Sequence, residues 1–535
     1  MKAITFLSMM LVFASVSGCK AATPDGLDFT KAAYQDVTLK YNGSDISFRY
    51  YQDIYYVDSP VDSVYQKMNL YIPAEYFKGE SVNGYTAATA PIFLYHKIAG
   101  YTPAKASTLA SAVRKKGPRP GGGPGGPGGR PEMGGPGGPG GPGGRPEMGG
   151  PGNGGGPSGP MGGPGSEPED ESLIPSEIND NPEHPFMPIA AMLRGYVVAC
   201  PAARGRLNDN GRAPAALIDL KAAVRYLKFN DKAMPGDASK IISDGTSAGG
   251  ALSSLLGATG NHPDYEPYLK ALGAAPATDD IFATQAYCPI TNLEHADAAY
   301  EWTYGSLESG QHGGISPEMK AISDELKAQF APYVNSLSFK SLRGETLYLE
   351  ADGTGSFLGW VCHFLREAAQ EQLDGGADLT AYDWVEVKDG KAGEIYFDKY
   401  VQFAGRKKAP VAFDALDLSA AENNEFGTET IEKQHFTSFS FEHSRVEGST
   451  LADPRLVHMM NPMNYIPDEA AVTSPHWRIC HGTKDSDTSP AIPILLGTCL
   501  LNNGFDTIIR LTWDQPHGGD YDTKEQFDWI DSICK

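Results

Sequence analysis

The sequence predicts a mostly parallel α/β sheet interrupted by one large insertion. Three observations carry that expectation. The stretch Asp244-Gly245-Thr246-Ser247-Ala248-Gly249-Gly250 reads Gly-x-Ser-x-Gly, between a short apolar strand ending and a helix-compatible run. Strand and helix patterns alternate before this turn and resume near the C-terminus, as βαβ units require. Between 291 and 455 the alternation breaks down, in a region rich in Tyr, Phe, Glu and Gln.

In chain order, Lys2 precedes a short apolar run, 4–16, that ends in Val16-Ser17-Gly18-Cys19. The run is too short to cross a bilayer comfortably and suits a signal peptide. The ending is similar to a bacterial lipobox, which implies a signal peptide over 1–18 and lipidation of Cys19. Lys20 follows in place of a retention Asp, so the expected destination is the outer membrane or cell surface, with the lipid as the one membrane contact. Residues 19–60 are polar, extended and Tyr-rich, and read as an N-terminal extension. Residues 61–290 read as the first part of the core, with strands near 64–73 and 90–96. Residues 117–180 are a low-complexity insertion: Gly-Arg-Pro-Glu-Met recurs from Gly129 and from Gly144 among Pro-Gly-Gly repeats. With so few apolar residues it cannot build a core and is expected to be disordered. A strand at 194–201 and a helix at 213–230, with Leu217, Leu220, Ala223 and Leu227 near helical spacing, lead to the elbow. Residues 291–455 read as a lid, with helical pieces at 317–331 and 360–373. Residues 456–535 complete the core: a strand at 477–481, a helix at 492–503, a strand at 507–513 and a closing helix at 523–534.

The chain has 535 residues, long enough for a large core, and 66 acidic against 44 basic side chains. The net charge of −22 would repel a phosphate backbone, so nucleic acid is excluded as a partner. Besides Cys19, six cysteines stand at 200, 288, 362, 480, 499 and 534. An exported chain can oxidise them, and their spacing leaves any pairing open. None lies in a zinc-type spacing, and no metal or cofactor is expected.

The elbow implies acyl transfer. A strand turning sharply into a helix pushes the Ser247 hydroxyl out of the sheet edge, and small neighbours let the backbone close. A serine nucleophile needs a base, and the base an orienting acid; in α/β-hydrolases they follow in the order Ser, Asp or Glu, His. Asp485, in the loop after a late strand, and His517, after the last strand, stand in that order. The oxyanion hole would use the N–H of Ala248 and one from Ala99 or Gly100, in the loop after the strand at 90–96.

Four motifs extend this reading: Gly245-Thr246-Ser247-Ala248-Gly249-Gly250-Ala251-Leu252-Ser253; His481-Gly482-x-x-Asp485-x-Asp487-Thr488-Ser489; Pro516-His517-x-Gly519-x-Tyr521-Asp522; and Lys408 followed by Ala412-Phe413-Asp414-x-Leu416-Asp417 and Glu422-Asn423. On these, over 84–525 without the Gly/Pro insertion, the chain resembles the bacterial tannases and tannase-like, feruloyl-esterase-related serine esterases of the α/β-hydrolase fold. The fungal-type branch carries Cys beside both Ser and His, where Thr246 and Gly518 stand here. The resemblance implies Ser247 as nucleophile, His517 as base and Asp485 as triad acid. It also implies contacts from Lys408, Glu422 and Asp487 to the phenolic hydroxyls of a galloyl ester. Carboxylates accept from phenols and an ammonium can donate to a phenol oxygen, which suits that use. The family usually has Gly-Gly in the oxyanion loop after an Asn-containing turn; His96-Lys97 and Ala99 depart from it. Two alternatives stay open: a feruloyl, acetyl or other carboxylesterase, and a catalytically silent lipoprotein that binds carbohydrate or polyphenol.

Overall fold

Continuous apolar runs suit strands covered on both faces, and they build the centre of this protein. The computed structural model describes residues 26–113, 171–182, 184–311 and 313–535. The expected signal peptide, Cys19 and most of the Gly/Pro-rich insertion lie outside the described residues. Ten strands form one sheet: β1 Gln35–Tyr41, β2 Ser44–Tyr55, β3 Lys67–Pro73, β4 Pro91–Tyr95, β5 Glu177–Ile178, β6 Val197–Pro201, β7 Asp237–Thr246, β8 Ala283–Tyr287, β9 His476–Gly482 and β10 Asp506–Thr512. Their spatial order is β10-β9-β8-β7-β4-β6-β3-β2-β1-β5. From β6 to β10 every ladder is parallel, while β3, β2 and β1 continue the sheet antiparallel. Every residue of β6 and of β8 is buried.

Register places the chemistry. Thr246 of β7 pairs with Tyr287 of β8, Tyr287 with Cys480 of β9, and Gly482 of β9 with Thr512 of β10. Parallel strands in this register deliver their following loops to one edge of the sheet, where an open α/β fold binds its ligands. The helices Ala215–Phe229 and Ala248–Ala258 follow β6 and β7, and Ala491–Asn502 and Thr523–Cys534 follow β9 and β10.

Several expectations are redrawn. Within 19–60, read as an extension, β1 and β2 belong to the central sheet. A two-residue Asn42-Gly43 turn joins them, with φ of 48° and 82°. These left-handed angles match the twist of a tight hairpin, which is why Asn-Gly is favoured there. The strand expected from 194 begins at Val197, because Arg194 still caps the helix Met187–Leu193 and Gly195 turns at φ 98°. The stretch expected to be disordered through 180 is already structured by 171: Ile178 is 1 % exposed in β5, and Asp180 accepts from Tyr41 Oη at 3.0 Å. Apolar Ile178 has a sheet edge to cover, which the Pro-Gly repeats lack. The six described cysteines are free, buried thiols.

Residues 291–455 add no described strand to the sheet. Their longer helices are Leu293–Tyr304, Pro317–Leu337 and Ser356–Asp374. The region is joined to the core by aromatic contacts rather than perched on it. Trp384 stacks on Trp513 at 4.8 Å, and Trp360 Nε1 donates to Thr498 Oγ1 at 2.9 Å. No described helix is long and apolar enough to cross a membrane.

The helix Ala248–Ala258 lies close on β8 and β9 because its inner face is small. A Cβ on Gly257 would stand 2.1 Å from Thr284 Oγ1 and 2.9 Å from the Trp477 ring. Gly257→Ala should therefore cost about 1–3 kcal/mol of stability, read as a lowered melting temperature relative to the parent protein.

Candidate active site

Ser247 has φ 61° and ψ −122°, a conformation that side chains other than Gly rarely hold and that costs about 1–3 kcal/mol. Its N–H donates to the Tyr287 carbonyl at 2.9 Å, and its own carbonyl accepts from Ala251 N at 2.9 Å. The close approach rests on glycine. A Cβ on Gly249 would lie 2.5 Å from the Ile98 carbonyl, and one on Gly250 would lie 2.6 Å from that of Tyr287. Ala248 opens the helix, so its N–H has no intrahelical acceptor.

The loop after β4 lies against this turn. Gly100 and Tyr101 both have φ 55°, and Thr102 N donates to the Ala99 carbonyl at 3.0 Å. Among the described residues, the N–H groups of Ala99 and Gly100 have no hydrogen-bond acceptor. The Gly100 carbonyl accepts from Arg206 Nε at 2.8 Å, and Arg206 Nη1 donates to Asn424 Oδ1 at 3.2 Å. The departure at His96 has a packing role. Its ring is buried under the elbow, Nε2 is 2.9 Å from Ser253 Oγ, and its Cε1 would be 2.7 Å from a Cβ on Gly245.

Asp485 and His517 meet directly: Asp485 Oδ2 accepts from His517 Nδ1 at 2.7 Å. Asp485 is fully buried, and its Oδ1 accepts from Asp487 N at 2.9 Å. Burial works against its charge, but His481, 3.5 Å away, and His517 hold its carboxyl below the usual range. For His517, burial favours the neutral ring; the hydrogen bond to Asp485 and the contact with Cys288 outweigh it and raise the imidazole. Burial pushes the Cys288 thiol up, and the Asp485 carboxylate holds the imidazole Nδ1 proton.

Cys288 was not singled out in the sequence. It directly follows Tyr287, the last residue of β8, and its Sγ lies 4.0 Å from His517 Nε2 and 3.3 Å from the Gly518 carbonyl. No hydrogen bond joins Ser247 Oγ to His517 Nε2 in this geometry; both stand at the same sheet edge. Such contacts often tighten only with substrate bound.

The residues implied for phenol contact come from two places. Asp487 lies beside the Asp485–His517 pair, its Oδ2 3.9 Å from His517 Nδ1. Its ion-pair partner is Lys407, which the sequence reading passed over, rather than Lys408. Lys408 Nζ stands 4.1 Å over the Phe413 ring, and its backbone N–H donates to Tyr300 Oη at 2.8 Å. Glu422, on the short helix Ala421–Glu425, is 9 % exposed; burial raises its carboxyl and the Lys408 charge opposes this. Lys407, Lys408 and Asp487 line a cavity of about 480 Å³. Glu422, Ser247 and His517 lie outside its lining, and Asp487 connects the cavity to the Asp485–His517 pair.

His96 yields a pH test. Burial lowers its pKa from 6.5 to about 4. Below 6.5 the unfolded chain takes up a proton that the folded chain refuses until about pH 4, so stability falls across that window and no further below it. The full effect is roughly 3 kcal/mol. His96→Gln should flatten the decline in melting temperature between pH 6.5 and 4 relative to the parent.

Comparison with known proteins fits this architecture. Residues 178–322 match the BD-FAE family. No curated protein matches the chain. Among solved structures, the native tannin acyl hydrolase of Lactobacillus plantarum is 36% identical, with a TM-score of 0.78 over 94% of this chain and 97% of that one. A tannin acyl hydrolase in complex with ethyl gallate is 36% identical, with a TM-score of 0.78 over 95% and 98%. The Fusobacterium nucleatum tannase is 37% identical, with a TM-score of 0.78 over 96% and 100%. Identity of this order over nearly the whole length of both chains, on the same sheet, places the protein in the tannase family of carboxylic ester hydrolases.

Proposed function

We propose that this protein hydrolyses galloyl and related phenolic acid esters through an acyl-enzyme, with Ser247 as nucleophile, His517 as base and Asp485 as the acid that orients it. The observation that carries the reading is the 2.7 Å Asp485–His517 hydrogen bond at the sheet edge where the Ser247 elbow opens. In the neutral ring, with Nδ1 donating to Asp485, Nε2 is the acceptor. It takes the Ser247 Oγ proton as Oγ attacks the ester carbonyl. The oxyanion is stabilised by the N–H of Ala248 and one from Ala99 or Gly100. His517 then protonates the departing alcohol, activates a water, and the aromatic acid leaves. No step calls on a metal or cofactor.

Substrate choice comes from the other side of the cleft. Lys407 pairs with Asp487, and the Asp487 side chain can accept from a ring hydroxyl while the ester carbonyl sits at Ser247. Lys408 and Glu422 supply a donor and an acceptor for neighbouring hydroxyls. The related enzyme solved with ethyl gallate supports this choice of acyl group. Export by the 1–18 segment and lipidation at Cys19 belong to the same proposal: a surface-tethered esterase that meets its phenolic ester substrate outside the cell.

Ser247→Ala should lower turnover of methyl gallate by about 10⁴-fold or more, with an unchanged circular dichroism spectrum; retained hydrolysis would rule out the assignment. Glu422→Gln and Asp487→Asn should each lower kcat/KM for gallate esters by roughly 10- to 100-fold, the worth of one charged hydrogen bond. Simple acetate esters should lose far less. Equal losses on both substrates would remove these residues from acyl recognition, and faster turnover of ferulate than of gallate would make the protein a feruloyl esterase.

A further inference from the structure

We propose that Cys288 and His517, backed by Asp485, form an inhibitory site for a soft divalent cation such as Zn²⁺ or Cd²⁺. The proposal rests on the reading of His517 Nε2 as the catalytic base. Among the described residues, Cys288, Asp485 and His517 are the group of three metal-ligating side chains with donor atoms all within 4.8 Å of one another.

The geometry fits ligation closely. A zinc–thiolate bond is about 2.3 Å and a zinc–imidazole bond about 2.0–2.1 Å, so tetrahedral coordination separates S and N by roughly 3.6 Å. Cys288 Sγ and His517 Nε2 stand 4.0 Å apart, within a few tenths of an ångström of that span. Cadmium, with longer bonds, fits the separation better still. The imidazole is already oriented for the task. A metal-bound His usually donates its other ring N–H to a carboxylate, which fixes the tautomer and raises ligand basicity. Asp485 does this at 2.7 Å on Nδ1. The arrangement that makes Nε2 a base therefore also makes it a ligand.

Access and charge agree with the geometry. The His517 side chain keeps 21% of its surface exposed while Cys288 is buried, so a cation would approach from the imidazole side. Binding would release the Cys288 thiol proton to solvent, and the cation would neutralise the resulting thiolate beside the Asp485 carboxylate. Water would complete the open positions. The cation would occupy the lone pair that must accept the Ser247 proton, so hydrolysis would stop without any change in fold. No redox step or covalent modification is involved.

The test is a titration of the full chain with ZnCl₂ and with CdCl₂ in chelator-free buffer, followed by activity and by the ultraviolet thiolate-to-cadmium charge-transfer band. Cys288→Ala and Cys288→Ser are titrated beside it, each normalised to its own metal-free rate, with thermal melts to identify the variant that keeps the fold. The expected result is one equivalent of Cd²⁺ per chain, loss of turnover restored by a chelator, and no band in the variants. Their inhibition midpoint should rise about 10- to 100-fold. Ser247→Ala should keep the band. An unshifted midpoint in both Cys288 variants, or a band that persists in them, would overturn the site. Cadmium bound at Cys288 with undiminished turnover would overturn the inhibition and the role of Nε2 together. A Cys288-dependent band in a protein that hydrolyses no phenolic ester would count against the proposed substrate alone.

Discussion

The active-site edge depends on one backbone constraint, the left-handed conformation of Ser247. A serine does not hold φ 61° without support. The support comes from outside its own segment: Tyr287 accepts the Ser247 N–H, and Ile98 and Tyr287 press their carbonyls against Gly249 and Gly250. The turn therefore forms only when β4, β7 and β8 are in register. The strain at Ser247 and the pairing of the central strands are two aspects of one structural fact.

That dependence extends to the histidine loop. Asp522, five residues after His517, binds the guanidinium of Arg478 from β9 and that of Arg510 from β10, the latter at 2.6 Å, and accepts from Tyr287 Oη. The loop is thus fastened to the strands that carry Asp485 and Cys288. Close by, Asp244 at the end of β7 and Asp520 form a buried acid pair in which burial raises both carboxyls, Asp244 furthest. Two carboxyls brought together away from water favour the protonated form, and the pair joins the elbow strand to the loop that carries His517. Recognition is coupled to the same frame. Arg206 joins the Gly100 carbonyl to Asn424, beside Glu422. The loop expected to hold the oxyanion and the helix expected to read the phenol thus share one guanidinium.

The site contains a tension between two chemistries. A buried carboxylate that orients an imidazole serves proton transfer in a hydrolase and metal ligation in a metalloenzyme. Here the difference is the Cys288 thiol just after β8. The buried Cys288 thiol donates to the Gly518 carbonyl at 3.3 Å, and burial pushes its pKa up.

Much of the candidate site's layout was legible along the chain. The Gly-x-Ser-x-Gly turn, an Asp after a late strand and a His after the last one are local signals, because each depends on where a strand ends. The same locality explains the misses. The Asn42-Gly43 hairpin is a strong turn signal, yet only pairing with β3 makes its strands part of the central sheet rather than an extension. Ile178 looked like the tail of a disordered insert until an edge strand needed covering. Cys288 is an ordinary cysteine in sequence and becomes a neighbour of His517 because β8 lies between β7 and β9. Lys407 and Lys408 are adjacent and alike on paper, but the fold gives Asp487 to the first and the Phe413 ring to the second. The sequence by itself determined the fold class, the order of Ser247, Asp485 and His517 and the strand ends that bear them, since periodicity and turn chemistry are short-range. The tertiary structure alone decided which side chains share a cleft, since contacts between residues hundreds of positions apart are set by strand order and packing.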